Sequence, residues 1–230
     1  MGPFVTAFMR VCLLLILGIV LIGWAAPLRA GTTVLVVGDS ISAAYGMETD
    51  QGWVRLLERR LQQLDPEFAV VNMSLSGETT GGGLARLPDA LQRHQPDIVI
   101  IELGGNDGLR GYPIDRIRAN LGRMVTASKE TGALVLLAGM QIPPNYGRRY
   151  VEAFHQIFHD LAEDHGVALV PFLLEGVATD AGLMQRDGIH PTADAQPLLL
   201  DTLWPALESM LEEHLELALD EGRSGGTSGG

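Results

Sequence analysis

Ser40, Asp187 and His190 are the residues of this 230-residue chain whose types and spacing could carry a reaction. A serine hydroxyl is a weak nucleophile, so it needs a base within hydrogen-bond reach and a third group to orient that base. Asp187 and His190 sit together in Asp187-Gly188-Ile189-His190-Pro191 and can supply both. The carboxylate takes one ring N–H, which leaves the other ring nitrogen to accept the serine proton. Ser40 ends a Gly38-Asp39-Ser40 turn directly after an apolar run, which presents its hydroxyl where a strand stops. Acyl transfer by such a serine also needs donors for an oxyanion, and the loss of one costs about 2.7–4 kcal/mol. Three candidates stand out. Gly77 has no side chain to keep a ligand from its N–H, Asn106 carries an amide behind Gly104-Gly105, and Ser40 has its own N–H.

These residues need elements that bring them to one place. Short, near-continuously apolar runs predict strands over Val34–Val37, Ala69–Asn72, Ile98–Glu102, Leu134–Ala138 and Val167–Val170. Segments of helical period predict helices over Trp53–Leu64, Gly83–His94, Ile114–Thr131, Arg148–His165 and Ala193–Leu219. Strands apolar on both faces must be covered on both, and each intervening segment is long enough to cross over. An α/β layered parallel sheet follows. In such a sheet ligands sit outside the carboxyl ends of the strands, where the loops holding Ser40, Gly77, Asn106 and His190 all fall. No repeat and no inter-domain linker interrupts the body, taken as residues 31–221, and residues 222–230 read as a disordered Gly/Ser tail.

Composition limits the partners. The chain carries 16 Lys and Arg against 28 Asp and Glu, a formal net charge of -12. Residues 1–30 contribute two arginines and no acid, so the remainder is more acidic still. A body of that charge repels phosphate backbones and anionic lipid, which argues against nucleic acid as a partner. The apolar run Val11–Ala26 follows Arg10 and is shorter than a membrane span, so residues 1–30 read as a signal peptide, with Ala30 or Ala26 as the cleavage point and an uncleaved N-terminal anchor as the alternative. That implies a periplasmic or secreted protein with no stable membrane insertion after cleavage. Cys12, the one cysteine, lies inside the run, so the mature chain has no thiol for disulfide, metal or nucleophile.

Four blocks, Gly38-Asp39-Ser40, Gly77, Gly104-Gly105-Asn106-Asp107 and Asp187-Gly188-Ile189-His190, resemble in order those of the SGNH (GDSL-type) hydrolase family. Ser76-Gly77-Glu78-Thr79, Glu102 to Gly111 and Asn145-Tyr146-Gly147-Arg148-Arg149-Tyr150 look like its bacterial periplasmic thioesterase I/lysophospholipase/arylesterase branch. Ile41 replaces the leucine that often follows the serine. The resemblance implies a flavodoxin-like three-layer α/β/α fold with a five-stranded parallel sheet. It also implies a hydrolase of small acyl esters or thioesters that uses no cofactor and no metal. Ser40 is then the nucleophile, His190 the base and Asp187 its orienter, with Ser40, Gly77 and Asn106 as oxyanion donors.

Other residues have competing readings. Asp39 and Asp107 are expected to order their loops through local N–H bonds, and Asp107 can brace the turn that aims Asn106. His155 and His159 have metal-ligand spacing on a predicted helix, with Glu152 and Glu163 nearby, but a polar helix face accounts for all four. Gly81-Gly82-Gly83 lacks the Gly-Lys-Ser/Thr of a phosphate cradle and reads as a flexible lead into a helix. Leu109, Ile142 and Pro143 are apolar loop residues that can line an acyl channel. Two rivals to the acyl hydrolase are a carbohydrate deacetylase or short-chain esterase on the same scaffold, and a catalytically silent binder of acyl chains or glycans.

Overall fold

The apolar runs become five strands: β1 (Thr33–Gly38), β2 (Ala69–Asn72), β3 (Ile98–Glu102), β4 (Leu134–Ala138) and β5 (Ala168–Val170). β3 is buried along its whole length, and β1 and β4 at every residue but their first, as strands covered on both faces must be. All pair in parallel in the order β2-β1-β3-β4-β5. The computed structural model describes residues 31–225, with side chains described through His214. The signal segment expected over 1–30 and residues 226–230 of the expected tail lie outside the described residues.

Six α-helices among the described residues accompany the sheet: α1 (Trp53–Leu64), α2 (Thr80–His94), α3 (Gly105–Leu109), α4 (Ile114–Glu130), α5 (Arg148–His165) and α6 (Gln196–Gly225). α1 packs on α6, while α4 packs between α2 and α5. The result is the expected flavodoxin-like three-layer arrangement, with helices on both sides of the sheet. The first pair is tied by Gln196 Oε1, buried at the start of α6, which accepts from Trp53 N at 3.0 Å. Arg60 adds a cationic contact 3.7 Å above the Trp204 ring.

Several boundaries differ from the sequence expectation, by one residue at β1 and α4 and by three at the start of α6, and four further differences have a physical reason. α2 begins at Thr80, and Gly81–Gly83 form its first turn rather than a flexible lead. Thr79 caps that turn by accepting from Gly82 N, and Gly83 lies so close to Leu103 that a Cβ would stand 2.4 Å from its Cδ1. Gly83 serves close packing there. α3 has only five residues, too few to show a period, and was expected as loop. β5 starts one residue late because Val167 N donates to Ala162 O, closing the left-handed turn at Gly166 that ends α5. α6 runs on to Gly225 and so overlaps the start of the expected tail, since each residue added to a formed helix gains a hydrogen bond.

The joint between α2 and α3 matters most for the site. Thr80 N and Oγ1 donate to Asp107 Oδ2 and Oδ1 at 2.8 and 2.7 Å, and Asn120 Nδ2 donates to Thr80 Oγ1 at 3.0 Å. Thr80 and Asp107 are buried, so neither oxygen has water to replace a lost partner. Thr80→Val keeps the shape and removes the hydroxyl. It is expected to destabilise the fold by about 1–3 kcal/mol, seen as a lower urea midpoint at unchanged slope.

Candidate active site

Parallel pairing of β1 with β3 sets Gly38 opposite Glu102, so the loops leaving the two strands run side by side. β2 lies on one side of β1 and β3 on the other, which makes this the point where the strand order reverses and a crevice opens. Ser40 follows β1, Gly77 follows β2 and Asn106 sits in the first turn of α3 after β3. The long segment after β5 brings up Asp187 and His190, tied by an isolated bridge between Met184 and Pro191 and by Gln185 N donating to His190 O.

His190 Nδ1 lies 2.7 Å from Asp187 Oδ2, and His190 Nε2 lies 2.8 Å from Ser40 Oγ. An ionised carboxylate only accepts, so Nδ1 carries the ring proton and Nε2 is left to accept from the serine. Asp187 Oδ1 accepts in addition from the backbone N–H groups of Ile189 and His190, at 2.9 and 3.0 Å. The His190 side-chain bond first, then these two N–H donors, hold the Asp187 carboxyl down at about 2 from its ordinary 3.8. The three expected residues thus form one hydrogen-bonded row.

The oxyanion side is set by a different acid. Asp39 is buried; its Oδ1 accepts from Ile41 N at 3.1 Å and its Oδ2 from Asn106 Nδ2 at 3.0 Å. This orders the turn as expected and also settles which end of the Asn106 amide faces the nucleophile loop, because a carboxylate selects the NH2. Burial pushes the Asp39 carboxyl up to about 6, against the pull of the Ile41 and Asn106 bonds. Gly77 holds φ +79°, a conformation that disfavours a side chain even though space for a Cβ is open there. Its carbonyl accepts from Arg110 Nη2 at 3.2 Å.

Some residues of the site were not foreseen from sequence. The Tyr45 ring lies 4.3 Å from the His190 ring, centroid to centroid, at 36°, and Tyr45 N donates to Ser40 O. Tyr45, Leu75 and Ile189, on the loops that carry Ser40, Gly77 and His190, are exposed. Of the expected channel residues, Leu109 is half-buried and Pro143 exposed. Ile142 belongs to the core: its Cγ2 would stand 2.7 Å from a Cβ on Gly108. Tyr146 reaches the same loop by donating its hydroxyl to Leu109 O at 2.8 Å.

His155 and His159 place their Nε2 atoms 3.3 Å apart with the rings edge to face. Burial first, then His159, pushes the His155 imidazole down. Among the described residues no group of three or more His, Cys, Asp or Glu is placed to hold a metal. No helix among them is long and apolar enough to cross a membrane.

The strand order, with a linked serine, histidine and aspartate at the carboxyl edge, defines an α/β protein of the hydrolase class. More specifically, the chain belongs to the GDSL-like lipase/acylhydrolase family, whose profile matches residues 36–197. It is 53% identical over 182 residues to Esterase TesA of Pseudomonas aeruginosa, covering 79% of this chain and 90% of that one. It is 46% identical over 177 residues to the Arylesterase of Vibrio mimicus, covering 77% and 88%. Against Thioesterase 1/protease 1/lysophospholipase L1 of Escherichia coli K12 the identity is 43% over 182 residues, covering 79% and 86%. The crystal structure of TesA matches with a TM-score of 0.75 at 53% identity, over 77% of this chain and 99% of that one. That of the psychrotrophic esterase EstA from Pseudoalteromonas sp., inhibited by monoethylphosphonate, also scores 0.75, at 40% identity over 79% and 99%. The protein is an ester hydrolase with the SGNH hydrolase fold.

The two acids pull stability in opposite directions with pH. Asp39 is raised, so its contribution is full below its ordinary 3.8 and is lost as pH rises through about 6. Glu102, raised well above 4.5 by burial, adds to the same decline. Asp187 is lowered, so its contribution is full above 3.8 and is lost as pH falls towards about 2. Urea unfolding across this range should show Asp39→Asn with a shallower loss of stability between about pH 4 and about pH 6 than wild type. An unchanged slope would contradict the raised carboxyl.

Proposed function

We propose that the chain is an exported serine hydrolase that cleaves small acyl esters and thioesters through an acyl-enzyme. The observation that carries this reading is the row Asp187–His190–Ser40, closed at 2.7 and 2.8 Å. Ser40 Oγ bonds to the acyl carbonyl carbon while its proton passes to His190 Nε2. Asp187 holds the imidazolium so formed. The oxyanion takes hydrogen bonds from the N–H groups of Ser40 and Gly77 and from Asn106 Nδ2. Collapse breaks the bond to the leaving alcohol or thiol, which takes the proton from His190. Water then attacks the acyl-enzyme with His190 again as base, releasing the acid and restoring Ser40.

The names of the relatives support the substrate range: esterase, arylesterase and thioesterase share an acyl carbonyl and differ in the leaving group. EstA inhibited by monoethylphosphonate supports an activated hydroxyl, since a phosphonate resembles the tetrahedral intermediate. Leu109 and Pro143 are the residues proposed to meet the acyl chain, while Ile142 is buried in the core. The mechanism needs no cofactor or metal. Export rests on Arg10 and the apolar run Val11–Ala26, and gives a periplasmic or secreted enzyme on removal of residues 1–30.

Intact-mass analysis after fluorophosphonate treatment tests the reading directly. One adduct is expected on wild type and none on Ser40→Ala, whose turnover of an aryl ester should fall roughly 10⁴-fold or more while its unfolding curve is kept. A folded wild type that takes no adduct would move the protein to the silent binder. Matched acyl groups on an aryl alcohol and on a thiol should both be cleaved.

A further inference from the structure

Glu102 ends β3 directly beneath the nucleophile loop and is wholly buried. Its Oε2 accepts from Ser42 Oγ at 2.6 Å and from Asp39 N at 3.2 Å, across 60 and 63 residues of chain. Contact with β1 is so close that a Cβ on Gly38 would stand 2.7 Å from that same oxygen. The other oxygen, Oε1, meets no hydrogen-bond partner among the described residues. The acyl-transfer roles proposed above leave Glu102 without a part.

We infer that Glu102 is a positioning residue of the acyl-transfer site: its carboxyl grips the Asp39 backbone and the Ser42 hydroxyl, and through Asp39 it sets the aim of the Asn106 amide. The linkage is continuous, from Glu102 Oε2 to Asp39 N, and from Asp39 Oδ2 to Asn106 Nδ2 at 3.0 Å. Both Asp39 oxygens accept, from Ile41 N and from Asn106 Nδ2, which favours its ionised form, and two adjoining buried carboxylates cannot both hold a charge cheaply. Glu102 therefore carries the proton. Burial first, and the neighbouring Asp39 second, push it well above the ordinary range. A neutral acid still accepts both hydrogen bonds through Oε2, and the proton rests on Oε1, where no donor competes. The titratable groups that bear on Asp39 are His190, which favours its ionised form when the imidazole is protonated, and Asp107, which opposes it.

The inference rests on the proposed serine mechanism, so the test separates the two. Glu102→Gln copies the shape and neutrality of the protonated acid, while Glu102→Leu keeps the bulk and removes both acceptors. On an aryl ester, Glu102→Gln is expected to keep kcat within about 3-fold of wild type and to leave the acid limb of its pH profile unmoved. Glu102→Leu should lose kcat by about 10- to 100-fold with little change in KM, because a misaimed donor acts on the transition state. Infrared difference spectra of wild type against Glu102→Gln at neutral pH should show a protonated carboxyl band that the variant lacks, a measurement that stands even if the leucine variant fails to fold. If wild type takes a fluorophosphonate adduct but Glu102→Leu turns over normally, the positioning role fails and the serine mechanism stands. A wild type without the carboxyl band, or a large loss of kcat in Glu102→Gln, overturns the neutral acid. A wild type that takes no adduct overturns the mechanism itself.

Discussion

The parallel pairing of β1 with β3 is the constraint from which the site follows. It sets Gly38 against Glu102 and sends the two succeeding loops out together, one carrying Ser40 and the other Asn106. β2 on the far side of β1 adds the Gly77 loop to the same edge. Because side chains alternate along a strand, a slip of one residue in this register would turn Glu102 from beneath the loop to the other face of the sheet. Val34–Val37 and Ile98–Ile101 are apolar and buried on both faces, which does not by itself separate one register from the next; the buried bonds of Glu102 with Ser42 and Asp39 do.

Four acids around this edge show how one chemical type is given different work by its surroundings. Asp187 is the most exposed, with 39% of its side chain accessible, and three donors keep it charged. Asp39 and Asp107 are buried, and each binds both of its oxygens to donors. Glu102 is buried with half of its carboxyl unpartnered and takes the neutral form. Buried polar groups of this kind cost stability unless they are satisfied, and here their satisfaction ties strand ends to helix starts. Rigidity at the oxyanion side and access at the histidine side come from that division.

Much of this was legible along the chain. The strands could be read because runs such as Ile98–Ile101 are apolar at every position, and α1 and α5 because their apolar residues recur with helical period. Ser40, Asp187 and His190 could be picked out by type and by the loops that hold them. α3 was missed, since five residues cannot display a period, and Gly81–Gly83 were misread because a glycine kept for close packing against Leu103 looks in sequence like one kept for flexibility. Ile142 looked like a channel residue because nothing local shows that it turns inward to Gly108.

The sequence by itself determined the layered α/β class, the order of the elements, the charge and the chemical types available at the sheet edge. These depend on composition and on periods within a few neighbouring residues. Tertiary structure alone decided the 2.8 Å approach of His190 to Ser40, the Tyr45 ring beside that histidine, the hold of Asp39 on Asn106 and the place of Glu102 beneath them. The two ends of the His190–Ser40 contact are 150 residues apart, and Glu102 and Asp39 are 63 apart. Such distances are set by strand pairing and burial, and the ionisation of a carboxyl is set by what surrounds it in space, so neither is written in the neighbouring letters.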